Sequence, residues 1–152
     1  MLKKILIFFL FFQITGCGFA PMLKNFDVSK IKIEKINFSG KNELQYYLQS
    51  FLDIDETKNS KGYLISLNID ETIVTTSNNS SGNATEENLT IIIKLEVRDF
   101  NNDLILIDQL SESRRISITS NLSENNSVKK IERENLIKNL SQKIKFKLLN
   151  IS

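Results

Sequence analysis

Histidine and tryptophan are absent from this sequence, and cysteine occurs once. Without histidine the chain lacks the commonest general base near neutral pH and the commonest metal ligand. A lone cysteine can neither close an internal disulfide nor build a zinc site. Any chemistry would fall to Asp, Glu, Lys, Tyr, Ser or Thr, and no arrangement of these stands apart from an ordinary solvated surface. A carboxylate pair such as Asp53 and Asp55 is the enzyme alternative, but its place behind an apolar helical stripe fits a helix end at the surface better. The sequence therefore predicts a protein that is not an enzyme and carries no cofactor and no metal.

A long apolar run is missing as well. The continuous run Ile5 to Phe12 covers eight residues, about 12 Å as a helix against a hydrocarbon core of roughly 30 Å. Lys3 and Lys4 stand in front of it, and Ile14-Thr15-Gly16-Cys17 follows it. A charged start, a short apolar middle and a small-residue exit are the parts of a secretory signal. Ile14, Thr15, Gly16 and Cys17 resemble the bacterial lipobox, in which the first three positions are read by the signal peptidase and the Cys carries diacylglycerol. Small side chains let the backbone lie extended in the peptidase, and the thiolate is the acyl-accepting nucleophile. This divides the chain into a signal peptide over 1–16, a lipidated N-terminal tether over 17–29 with Cys17 at its head, and one domain over 30–152. Gly18 in place of an aspartate after the Cys goes more often with the outer membrane in lipobox proteins.

Excess charge is lacking too. The chain carries 20 basic and 18 acidic residues, and loss of Lys3 and Lys4 with the signal leaves a formal balance of zero. Nucleic-acid binding by bulk charge loses its support. The membrane, through N-terminal acyl chains, becomes the first expected partner.

Within the domain, Lys30 to Phe38 alternates apolar and polar residues with a slip at Glu34-Lys35 that predicts a bulge. Asn42 with Gln45 has the form of a capping box. Leu44, Tyr47, Leu48, Phe51 and Leu52 then form a helical apolar stripe. Tyr63 to Asp70 and Leu89 to Arg98 alternate with the period of a half-buried strand. Asn101-Asn102-Asp103 predicts a tight turn into a long strand, Leu104 to Thr119, bent near Ser111 to Ser113. Val128 to Leu149 returns to helical spacing with Leu136, Ile137, Leu140, Ile144 and Leu148 on one arc. Between the second and third strands, Ser77 to Glu87 is expected to be a polar loop. The order β-α-β-β-β-α predicts an α+β two-layer sandwich, a four-stranded mostly antiparallel sheet with two helices.

The start Cys17-Gly18-Phe19-Ala20-Pro21-Met22 resembles the Cys-Gly-Phe-x-Pro-Leu start of the LPS-assembly lipoprotein LptE family, with Met22 where Leu is more frequent. The element order from Ile31 to Leu149 is similar to that family's fold. The resemblance implies a lipid-anchored protein on the periplasmic face of the outer membrane, plugging an LptD-like outer-membrane β-barrel and contacting lipopolysaccharide. It also implies that the Ser77 to Glu87 loop reaches into the barrel. No motif aligns the family's binding residues here. From charge alone, Lys94 and Arg98 on the outward face of strand three and Arg114-Arg115 near the expected bend are the candidate ligand-binding residues, since polyanions favour guanidinium forks. An unrelated envelope lipoprotein acting as a tether or inhibitor is the alternative.

Overall fold

The structure, a computed structural model, describes residues 31–57 and 61–151. Ile14, Thr15, Gly16, Cys17 and the predicted signal and tether lie outside the described residues. The elements run β1 (Ile33–Gly40), α1 (Asn42–Leu52), β2 (Tyr63–Asn78), β3 (Ala84–Arg98), β4 (Leu104–Ser117) and α2 (Leu122–Leu149). The strands form one sheet in the order β1-β2-β3-β4. β1 lies parallel to β2, and the other two pairings are antiparallel. A parallel pair needs a crossover, and α1 supplies it.

Alternation in the strands decides which face is covered. Ile65, Leu67 and Ile69 of β2 pair with Val97, Leu95 and Ile93 of β3, and all six are buried. Against them lie Leu44, Leu48 and Leu52 of α1 and Leu136, Ile137, Leu140, Ile144 and Leu148 of α2, also buried. Both helices thus sit on one side of the sheet and the other side stays open. Each such side chain taken from water contributes about 1.5–3 kcal/mol.

The expected slip in β1 is present as a register shift between Ile33 and Lys35. At the end of that strand Gly40 takes φ +100°, and a Cβ there would sit 2.0 Å from the Ile69 carbonyl oxygen. Only glycine combines that backbone conformation with so close an approach. The first helix differs from the expected capping box. Lys41 is its N-cap and makes no side-chain cap bond, while the Gln45 amide donates to the Gly40 carbonyl at 2.8 Å and reaches Asn42 Oδ1 at 3.4 Å. Asp53 closes the helix in the left-handed region with φ 43°, and Asp53 and Asp55 are both exposed.

Three further expectations are corrected. The polar stretch Ser77 to Glu87 is mostly strand: β2 continues to Asn78 and β3 begins at Ala84, leaving Asn79 to Asn83 as the connection. Thr72, Ile73 and Val74 pair with Thr90, Leu89 and Asn88, so cross-strand pairing extends the hairpin past the apolar alternation. β4 ends at Ser117, not Thr119, whose N–H donates to Asn125 Oδ1 at 3.0 Å, and Ser111 to Ser113 stay paired with Ile92, Ile91 and Thr90. Finally, α2 begins at Leu122, not Val128, because the Asn121 side chain accepts from Ser123 N and Glu124 N at 3.1 and 3.2 Å. That bond satisfies two of the orphan N–H groups at a helix start.

Candidate functional site

Two surfaces remain once the core is closed: the open face of the sheet and the two hairpin ends. On the open face, register places Ser66, Asn68, Asp70 and Thr72 of β2 beside Glu96, Lys94, Ile92 and Thr90 of β3. These in turn face Ile107, Gln109, Ser111 and Ser113 of β4. Hydroxyls and amides dominate, and they bond locally: Asn68 Nδ2 donates to Ser39 Oγ at 3.0 Å. Such a face is wetted easily and has few apolar spots to bury.

The four candidate cations do not assemble into one patch. Lys94 and Arg98 share the open face, as their two-residue alternation requires. Arg98 is engaged, with Nε on Glu96 Oε1 at 2.5 Å and Nη1 on the Asn102 carbonyl at 3.0 Å. Arg115 lies on the same face opposite Asn88, loosely paired with Glu86 at 3.9 Å. Arg114 points to the helix side and meets Glu132 of α2 at 3.4 Å. Much of the cationic excess after Ser113 is also consumed. Lys129, Lys143 and Lys147 of α2 clasp Glu87, Glu112 and Asp108 of the sheet at 2.6, 2.5 and 2.9 Å. The Asp108 carboxyl is held below its ordinary value by the Lys147 hydrogen bond and the Gln109 N–H.

Sequence reasoning missed the most enclosed charge. Glu71 falls on the helix side of β2, where the apolar alternation predicts a core residue, and its side chain is 3 % exposed. Arg133 of α2 grips it with two bonds, Nε–Oε2 at 2.6 Å and Nη2–Oε1 at 2.9 Å, and Lys41 Nζ adds a third at 3.1 Å. Burial pushes the carboxyl up, but the guanidinium fork and the ammonium outweigh it and hold it below the usual carboxylate range. The arrangement pins β2, α1 and α2 together rather than presenting a group to a substrate. An acidic residue at an inward strand position was the available signal.

Between β4 and α2 an apolar groove of about 450 Å³ is lined by Leu110, Asn139, Gln142 and Phe146, with the paired Glu112, Lys143 and Lys147 at its rim. Among the described residues no three His, Cys, Asp or Glu side chains stand close enough to hold a metal ion, and no helix is long and apolar enough to cross a membrane.

The two hairpin turns are built alike. Asn79 Oδ1 accepts from Ser81 N and Asn83 N, both at 3.0 Å, and Asp99 Oδ1 accepts from Asn101 N and Asp103 N, both at 2.9 Å. The fourth residue takes positive φ in each, 81° at Gly82 and 70° at Asn102. A side-chain oxygen that bonds ahead along its own backbone fixes such turns without regard to what the tip carries.

No protein-family model matches the chain, and no curated protein matches it by sequence. Its fold is nevertheless shared with solved structures. Uncharacterized lipoprotein B from Nitrosomonas europaea superposes with a TM-score of 0.56 at 12 % identity, covering 76 % of this chain and 81 % of its own. Rare lipoprotein B from Shewanella oneidensis gives a TM-score of 0.50 at 15 % identity, covering 76 % and 90 %. A minor lipoprotein from Acinetobacter baumannii gives 0.50 at 16 %, covering 76 % and 91 %. At such identities the likeness is one of fold.

Proposed function

We propose that this chain is an envelope lipoprotein of the LptE kind, acylated at Cys17. In this reading it sits on the periplasmic face of the outer membrane, plugs an LptD-like β-barrel and assists lipopolysaccharide assembly without catalysing a reaction. One observation carries the reading. The Cys17-Gly18-Phe19-Ala20-Pro21 start, which resembles that of the LptE family, precedes a sandwich that shares its fold with rare lipoprotein B. Neither half would suffice, because the motif is short and folds host many functions.

The surface supports the same reading. A plug inside a barrel faces a polar lumen, and the open sheet face offers hydroxyls, amides and compensated charges in place of an apolar interface. Its spread-out cations, Lys94 and Arg115, suit transient contact with an anionic glycolipid better than a tight site, since no two guanidinium groups converge there among the described residues. Of the enzyme alternative, Asp53 is the C-cap of α1 through its backbone and Asp55 lies beyond the helix, both exposed.

The test is co-purification. With an affinity tag after Ser152 and extraction in mild detergent, the protein should bring down a large outer-membrane β-barrel in stoichiometric amount. Recovery of the acylated protein alone would favour the tether or inhibitor alternative.

A further inference from the structure

The two edges of the sheet are finished differently. Along β1 the chain that follows α1 covers the edge: Glu56 Oε1 accepts from Ile36 N at 2.8 Å, and Thr57 N donates to Ile33 O at 2.7 Å. Ile33 is fully buried there. β4 is the other edge strand, and among the described residues no segment runs along its outer side. Leu106 and Leu110 of β4 pack on the core yet stay half-buried. The groove of about 450 Å³ lies on this side, walled by Leu110 and Phe146 with Asn139 and Gln142. Its rim charges are already compensated, Lys143 by Glu112 and Lys147 by Asp108. A groove so lined takes an apolar, uncharged group, since an ion would be desolvated there without a partner. The polar lumen of a barrel is a poor source of one.

The chain ahead of Ile31 carries such groups. Between Gly18 and Lys30 stand Phe19, Met22, Leu23, Phe26 and Val28, although a spacer between a lipid and a domain needs only Gly, Ser or other polar residues. That chain also starts within reach. Tyr63 N donates to the Lys32 carbonyl oxygen at 2.8 Å and fixes where it arrives, and Ile31 shares a hollow with Ile105 of β4. Leu110 is five residues farther along that strand, about 17 Å. Leu23 precedes Ile31 by eight residues, at most about 28 Å of extended chain. The difference leaves slack for the turn onto the α2 side of β4.

We propose that residues 22–26 dock in the groove between β4 and α2, with Met22, Leu23 and Phe26 seated against Leu110 and Phe146. The docked tether finishes the β4 side of the sandwich as the chain after α1 finishes the β1 side. It also keeps apolar walls from facing a polar lumen, while Gly18 to Pro21 stay outside the groove and lead to Cys17. This rests on the lipid-anchored part of the function proposed above and not on the barrel.

Cys17 is the one cysteine, so its acylation leaves no free thiol and introduced cysteines report alone. Full-length chain is expressed with its leader in a diderm bacterium and purified in mild detergent, and its intact mass reads leader removal and acylation. Lys24→Cys and Asn25→Cys are each combined with Gln142→Cys at the groove, or with Tyr46→Cys on α1. Gln142 and Tyr46 are both exposed, so access does not separate them. On oxidation with copper phenanthroline, the groove disulfide should close at least about tenfold faster than the α1 disulfide from one or both tether positions, as a raised effective concentration requires. Adding Leu23→Asp with Phe26→Asp should bring the groove rate down to the α1 rate. Equal rates at the two sites would overturn the docking and leave the anchor standing, and so would a groove rate that the double substitution does not change. A retained leader and a bare Cys17 thiol would overturn the anchor and the docked tether with it.

Discussion

Replacing Glu71 by Gln removes the negative centre of the most enclosed ion cluster while keeping its shape. The carboxylate is 3 % exposed and Arg133 18 % exposed, so the variant leaves a largely desolvated guanidinium facing a neutral amide. Breaking a fully buried pair costs about 3–5 kcal/mol. Lys41 is 56 % exposed and turns to water at little cost, and Arg133 retains some solvent, which brings the expected loss to about 2–4 kcal/mol. The pH dependence has a definite sign. Glu71 titrates below its ordinary value of 4.5 in the folded protein, so its contribution is complete above the unfolded value and is lost as pH falls through the folded one. Urea unfolding followed by circular dichroism should therefore show a wide gap between wild type and Glu71→Gln at pH 7 that narrows on acidification below about 4.5. A gap under about 0.5 kcal/mol at pH 7 would match an exposed pair, and a gap unchanged across the acid range would mean that the carboxylate charge is not what the cluster uses. Either result refutes the assignment.

Two more substitutions test the packing and the backbone. Leu140→Ala empties a fully buried position between α2 and the sheet and should lower stability by about 2–4 kcal/mol, read as a lower urea midpoint at unchanged slope. Gly40→Ala must place a methyl group 2.0 Å from the Ile69 carbonyl oxygen at φ +100°; the β1–β2 pairing has to yield, and a loss of about 2 kcal/mol or more is expected in the same assay.

The elements legible in the sequence are those whose pattern is imposed by burial. Ile65, Leu67 and Ile69, or Leu89 through Val97, alternate because one sheet face is dry, and the Leu44, Leu48, Leu52 stripe repeats because one helix face is. Past Asp70 that imprint fades. Thr72, Val74, Thr75 and Thr76 are exposed, so β2 persists there through pairing with β3 and through β-branched residues suited to a strand, neither of which leaves an apolar alternation. The run Thr72 to Thr76 was the signal that could have extended it. The start of α2 was hidden for the same reason: between Leu122 and Asn135 only Asn125 is buried, and the capping residue Asn121 was the local mark of where it begins. Charge was the least legible property. Arg114 and Arg115 are neighbours in sequence but lie on opposite faces, and the acids that neutralise Lys129, Lys143 and Lys147 come from strands far along the chain.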